Sequence, residues 1–270
     1  MRTSVILTVH NKGYLVRQVL SGICENAVAP LEVVIVLDGC EDDSEEVVSS
    51  FVVPGRHEFV VLVTPDVFET KANNAGLKRA TGDYAIIVQD DMVIHEPAWD
   101  ARILLPFQAW PDVFAVTCRA AHNWRRNPVA VDTMESPRRD DRWCDLLEAC
   151  DVAEGQNLPR DVFAVRDTVN RGPLAINRAD LESLGYLSEA FAPLDSDDHD
   201  LMYRMHAKLG KVCGAINLDW SSRPQWGGTR DAAGATRPFM FAAQNKNSRL
   251  LYARHAEAMR VCRVEARSLT

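Results

Sequence analysis

Between residues 4 and 88 the chain repeats one unit, an apolar run of five or six residues followed by a stretch with helical periodicity. Runs that do not alternate polar with apolar suit strands covered by helices on both faces. A helix between successive runs is what returns the chain to lay them parallel. The pattern predicts strands at 4–9, 32–37, 59–63 and 84–88, all buried on both faces, with helices at 13–24, 43–51 and 71–80. Thr70 is the expected N-cap of the third helix and Gly82 its stop. A helix is expected after Pro97, then a strand at 114–117, and order weakens over residues 118–170. Regularity returns with a strand at 174–177, a helix at 196–209 ending at Gly210, a strand at 212–216 and a last helix from about 238. The expectation is a single α/β domain: a mostly parallel central sheet flanked by helices, with a C-terminal helical extension.

The 270 residues, 47% of them apolar, suffice for one sizeable core. Thirty basic against 38 acidic side chains leave a net charge of -8, the wrong sign for a surface that clamps nucleic acid, so no nucleic-acid partner is expected. No apolar run reaches the eighteen or so residues that cross a bilayer, and the opening run is too short for a secretory leader. The reading is a cytoplasmic protein. Its seven cysteines contain no Cys-x-x-Cys, which favours reduced thiols and leaves Cys118, His122, Cys144 and Cys150 without the paired spacing of a zinc site.

Chemistry is expected at the strand tips, because ligands of open α/β sheets bind outside the carboxyl ends of the strands. The first strand ends in Val9-His10-Asn11, the second in Asp38-Gly39 with the acidic run 41–43 behind it, and the fourth in Gln89-Asp90-Asp91. Adjacent carboxylates after an apolar strand repel each other unless a cation intervenes, and Mg²⁺ or Mn²⁺ carrying phosphate oxygens would relieve the repulsion. A second acidic cluster, Asp195-Ser196-Asp197-Asp198-His199-Asp200, exceeds what a helix cap needs and fits a base poised against a hydroxyl. Asp200 and Arg204 have the spacing of an i,i+4 ion pair. The chain has no Gly-x-Gly-x-x-Gly after the first strand, no phosphate-binding Gly-x-x-x-x-Gly-Lys-Ser/Thr and no Gly-x-Ser-x-Gly, so dehydrogenases, P-loop hydrolases and α/β-hydrolases lose their main support.

Six segments in order, 4–11 (SVILTVHN), 34–39 (VIVLDG), 71–77 (KANNAGL), 80–84 (ATGDY), 89–91 (QDD) and 197–204 (DDHDLMYR), resemble the inverting family 2 glycosyltransferases of GT-A fold over about residues 3–216. The resemblance implies a transferase domain at 1–217, with a donor half at about 1–92 and an acceptor half at 93–217 that includes the variable loop 118–170. Residues 218–270 would form a loop and a helix packed on the same domain. It implies a nucleotide-sugar donor, UDP-linked by family habit, and a glycan or glycoconjugate acceptor. Val9, His10 and Asn11 match the segment around the base, and Asp38 the aspartate that bonds it. Lys71 and Asn74 match the helix start beneath the nucleotide. Gln89 and Asp90 occupy the first two positions of the Asp-x-Asp motif. Asp91 matches the metal-binding aspartate and Asp198 the general base. Gln89 departs from the usual first aspartate, Asp197 replaces a glutamate, and Leu218-Asp219-Trp220 lacks a histidine that many relatives supply to the metal.

For the acceptor, Trp124 and Trp143 offer faces for stacking on sugars, Arg125, Arg126, Arg138 and Arg139 offer charge for an acidic acceptor, and Gly172, Asp197 and Trp226 border the expected site. On a helix running to the end of the chain, Arg249, Arg260, Arg263 and Arg267 fall on one stripe, which suggests peripheral contact with an anionic membrane at its inner face. The alternatives are an inactive glycan-binding relative, motivated by Gln89, and a sugar-phosphate nucleotidylyltransferase, which would want a Gly-rich basic loop after the first strand.

Overall fold

The computed structural model describes residues 2–123, 153–223, 225–226 and 237–270. In the order of the chain the strands are β1 (Thr3–Val9), β2 (Leu31–Asp38), β3 (Glu58–Thr64), β4 (Tyr84–Gln89), β5 (Val93–Ile94), β6 (Val113–Thr117), β7 (Ala120–His122), β8 (Ala153–Glu154), β9 (Val162–Arg166), β10 (Thr168–Val169), β11 (Leu174–Asn177), β12 (Val212–Ile216), β13 (Trp220–Ser221) and β14 (Glu265–Ser268). The helices are α1 (Gly13–Glu25), α2 (Ser44–Phe51), α3 (Phe68–Arg79), α4 (Trp99–Arg102), α5 (Leu105–Ala109), α6 (Arg178–Leu184), α7 (Asp197–Leu209) and α8 (Arg237–His255).

Nine strands form the main sheet in the order β14-β9-β12-β6-β11-β4-β1-β2-β3. β1 runs parallel to both β2 and β4, with Val9 opposite Leu37 and Thr8 opposite Gln89. The tips of these three strands therefore share one edge. β11 enters antiparallel to β4, with Leu174 opposite Ile87, which brings residues 171–173 to the same edge beside Gln89. One apolar layer packs β1, β2 and β4 against α1 and α2 through residues such as Leu7, Val19, Ile35 and Ile86. The layer on the opposite face holds Leu77 of α3, Leu181 of α6 and Met202 of α7 against Ile6, Ile87 and Ile176. Each fully buried aliphatic side chain contributes about 1.5–3 kcal/mol, so the central strands are anchored from both sides.

Three expectations are corrected. β3 is not buried on both faces; it is the edge strand, with Val61 and Val63 exposed, because α2 is too short to cover it. The third helix starts at Phe68 rather than after Thr70, because the carboxylate of Asp38 already takes the N–H groups of Val67 and Phe68. The C-terminal helix stops at His255, and residues 265–268 run as β14 along β9, with Glu265 opposite Val165. The arginines of the expected stripe are thereby dispersed. Arg267 forks onto both carboxylate oxygens of Asp112 at 2.8 and 2.9 Å, Arg263 pairs with Asp167 at 3.1 Å, and Arg260 pairs with Glu257 at 2.8 Å. An open sheet edge at β9, with Asp112 as a forked partner for Arg267, outcompetes continued helix, and the one-sided stripe does not form. Among the described residues no helix is long and apolar enough to cross a membrane.

Candidate active site

At the shared edge the first two strand tips are laced together. The N–H of His10 donates to Asp90 Oδ2 at 3.1 Å, and its Nδ1 lies 2.6 Å from the carbonyl of Asp38. A carbonyl only accepts, so the proton sits on Nδ1, leaving Nε2 to accept from Asn11 Nδ2 at 3.1 Å. Asn11, at φ +51°, takes the N–H of Glu41 on its Oδ1. The acidic run behind the second tip does cap: Asp42 accepts from Gly13 N at 2.9 Å and Ser44 N at 3.0 Å, joining the starts of α1 and α2.

Asp38 is buried, and its oxygens accept from Thr64 Oγ1, Val67 N and Phe68 N, each at 2.9 Å. Its first task is to shape the turn into α3. Asn74 is corrected outright. It is buried, its Oδ1 takes Leu187 N at 3.1 Å, and its Nδ2 donates to Leu187 O at 2.9 Å, so its amide ties α3 to the loop before residue 189 and is not turned to a nucleotide. Lys71 is exposed on the first turns of α3. Val9 is wholly buried and contributes backbone, its carbonyl accepting the thiol of Cys40.

The third tip carries the charge. Burial pushes the Asp90 carboxyl up to about 7, with Asp91 and Glu69 adding to the effect and Lys12 and the His10 N–H opposing it. Asp91 accepts from Ser222 Oγ at 3.1 Å, and Lys12 Nζ donates to the Trp226 carbonyl, so Ser222 and Trp226, after β13, lie at this edge of the sheet. Trp226 is half-buried, with the Arg223 guanidinium 4.8 Å from its ring centre. Gln89 uses both ends of its amide: Nε2 reaches Glu69 Oε1 at 3.3 Å, and Oε1 accepts from Arg119 Nη1 at 2.8 Å. Gly172, at φ +92°, backs onto the same amide, and a Cβ there would lie 2.7 Å from Gln89 Oε1. Any other residue would push Gln89 aside.

From Glu69 the network runs on to the second acidic cluster through Arg171, a residue not singled out from the sequence. Arg171 is buried at 5% exposure, with Nη2 bonded to Asp197 Oδ1 and Nε 3.5 Å from Glu69 and 3.8 Å from Asp198 Oδ2. Its backbone N–H also donates to Asp198 Oδ2 at 3.2 Å, and that of His199 donates to Asp198 Oδ1 at 2.8 Å. Burial alone would raise the Asp198 carboxyl. His199, Arg171 and the two backbone donors outweigh it and hold the group below the usual carboxylate range. Asp197 goes the other way: burial, with the charges of Asp198 and Glu69, lifts it despite Arg171. The pair is thus split into one carboxylate kept ionised and one inclined to hold a proton.

The loop that presents the pair is fixed from outside. Asp195 and Ser196 both take positive φ, 73° and 66°, a strained entry into α7. Asn247 of α8 donates to the carbonyls of Phe191, Leu194 and Asp195. Asp200 binds Arg204 at 2.7 Å as the spacing predicted, and also Arg254 at 3.1 Å and His255 at 2.9 Å, which seats α8 on α7. His122 packs edge-on against His199 with ring centres 5.8 Å apart, and burial, then His199, drives its pKa down to about 4. Trp124, Arg125, Arg126, Arg138, Arg139 and Trp143 lie outside the described residues.

Among the described residues no group of three His, Cys, Asp or Glu side chains could hold a metal by itself. Asp91 nevertheless fits the manner in which Mg²⁺ and Mn²⁺ bind, through one or two carboxylates completed by substrate phosphates and water. Gln89, with its carbonyl oxygen on Arg119, supplies no second carboxylate.

The family model described as "Glycosyl transferase family 2" matches residues 4–165. Among solved structures, S. aureus TarS 1-349 in complex with UDP-GlcNAc superposes with a TM-score of 0.56 at 14% identity, covering 87% of this chain and 62% of that one. TarS 1-349 in complex with UDP gives 0.52 at 16%, covering 80% and 58%. Glucosyl-3-phosphoglycerate synthase from Mycobacterium tuberculosis, in complex with Mn²⁺, UDP and phosphoglyceric acid, gives 0.51 at 17%, covering 82% and 70%. At these identities the likeness is one of fold. This chain spans less than two thirds of the length of the TarS structures. No curated protein matches the sequence.

Proposed function

Because the chain belongs to glycosyl transferase family 2, we propose that it moves a sugar from a nucleoside diphosphate donor, UDP-linked, to a hydroxyl of a glycan or glycoconjugate by direct displacement with inversion. The observation that carries this reading is the Asp198 carboxylate, buried and yet held ionised by two backbone N–H groups, Arg171 and His199. A carboxylate so placed takes the proton of the acceptor hydroxyl as that oxygen attacks the anomeric carbon. His199 and Arg171 keep it charged, and Asn247 keeps its loop in register with the sheet edge. Val9, His10 and Asn11 border the base, Asp38 shapes the turn beside it, Lys71 and Asp90 lie along the nucleotide, and Gly172, Asp197 and Trp226 border the acceptor side. Asp91 would hold Mg²⁺ or Mn²⁺, which when bound neutralises the departing diphosphate. UDP and UDP-GlcNAc in the TarS structures, and UDP with Mn²⁺ in the mycobacterial synthase, support the choice of donor and ion.

The test is single-turnover transfer from UDP-sugars to a panel of acceptors, with the anomeric configuration of the product read by NMR. Retention of configuration overturns the mechanism. One observation favours a second reading, an inactive sugar-nucleotide binder: the Gln89 amide is engaged by Glu69 and Arg119 where a second acid would serve a metal. UDP-sugar binding with neither transfer nor hydrolysis would select it.

A further inference from the structure

The edge strand β3 presents an unpaired backbone edge and an apolar face. Among the described residues no strand pairs with its outer side. Val61 is 41% and Val63 70% exposed, and Val53, in the connection from α2 to β3, is 59% exposed. Phe59, on the same face, is braced edge-on by Phe51 with ring centres 6.1 Å apart. A seven-residue edge strand with five consecutive apolar residues invites pairing with another strand, and natural sheets usually blunt such edges with charge, proline or a bulge. Here the charges stand only at the two ends: Arg56 and Glu58 before the apolar run, Asp66 after it, and all three are exposed.

We propose that β3 pairs antiparallel with β3 of a second copy of this chain, about a twofold axis through Val61, joining two nine-stranded sheets into one. The sequence of the edge is self-complementary in this register alone among its immediate neighbours. With Val61 opposite Val61, Val60 meets Leu62, Phe59 meets Val63 and Glu58 meets Thr64, so all five apolar residues of the strand face apolar partners. Sliding the axis to Leu62 sets Val60 against Thr64 and carries Glu58 and Phe59 past the end of the partner strand. Sliding it to Val60 sets Glu58 against Leu62 and carries Val63 past the end. Apolar cross-strand pairs add stability and a carboxylate opposite an apolar side chain does not, so the register at Val61 wins. A twofold axis perpendicular to the sheet also keeps Phe59, Val61 and Val63 of both copies on one face, as a continuous apolar stripe.

Sedimentation of the whole chain over a range of concentrations is expected to show a monomer-dimer equilibrium. Val61→Lys, which opposes two ammonium groups across the axis, is expected to weaken it about tenfold or more while leaving UDP binding unchanged. The register is tested with cysteines. Directly opposed Cα atoms lie about 4.5–5.5 Å apart, within disulfide reach, so Val61→Cys is expected to cross-link two copies on mild oxidation, whereas Val63→Cys, which faces Phe59, is not. A chain that stays monomeric at every concentration overturns the proposal. So does a dimer that Val61→Lys does not weaken, or one in which Val63→Cys cross-links as readily as Val61→Cys.

Discussion

Arg171 holds Asp198 with its backbone and Asp197 with its side chain: the N–H lies 3.2 Å from Asp198 Oδ2, while Nη2 bonds Asp197 Oδ1. One residue therefore contributes to both the position and the charge of the acidic pair. Replacing it should separate the two effects. Arg171→Gln removes the cation and is expected to move the acidic limb of the kcat/KM profile upward, because Asp198 then ionises at higher pH. Arg171→Lys keeps the cation but not the fork, so turnover falls while the limb stays low. An unmoved limb in Arg171→Gln would sink the assignment. Because three buried or half-buried carboxylates lose their counter-charge, Arg171→Gln should also cost about 3–5 kcal/mol in urea unfolding.

Asp198→Asn keeps the shape of the base and removes its basicity. Turnover should fall by about two to four orders of magnitude with UDP affinity near that of the parent. Rapid-quench measurements under single-turnover conditions read the chemical step directly, and retention of more than about a tenth of it would falsify the role.

UDP should raise the thermal midpoint more with Mn²⁺ or Mg²⁺ than without, since a ligand confined to the folded state stabilises by mass action. Asp91→Ala should abolish the metal-dependent part. Gln89→Asp, which restores the family's usual residue, should not strengthen it, because Glu69 stands 3.3 Å from the Gln89 amide nitrogen and would face a second carboxylate. Equal shifts with and without metal in the parent chain would remove the metal from the reading.

Acid should destabilise the fold in two steps. His122 titrates at about 4 in the folded chain against an ordinary 6.5, so the unfolded chain binds more protons between those values. Its share of stability is complete above pH 6.5 and is lost as pH falls toward 4, on the order of 3 kcal/mol. Glu32, buried under Ser4 and Thr81, is held below 4.5: burial would raise it, but those hydrogen bonds prevail, so its share is lost only below that value. Urea midpoints across this range should show His122→Asn flattening the first step and Glu32→Gln the second. A single step unaffected by His122→Asn would refute the first assignment.

The central strands were legible because unbroken apolar runs leave little choice of element, and β11 and β12 match their predicted limits residue for residue. The strand tips were legible for the same reason, as polar residues that directly follow such runs. Arg171 escaped because nothing local marks a buried arginine; its partners lie on α3 and α7, far away in sequence. Asn74 misled in the opposite sense, since an asparagine on a helix looks the same whether its amide faces a ligand or a loop carbonyl. The end of the chain is not legible in the same way, because its helical periodicity runs on past His255 and the decisive fact, an open edge at β9, belongs to the tertiary fold.

The three carbonyls held by Asn247 belong to the loop that presents Asp197 and Asp198, but the asparagine itself lies on α8. During synthesis eight of the nine strands of the main sheet, the strand-tip carboxylates and α7 leave the ribosome before α8 does. A nascent chain can thus acquire its donor half and most of its core while the acid-bearing loop is still unsupported, and competence for transfer would come with the emergence of residue 247, well after the bulk of the fold.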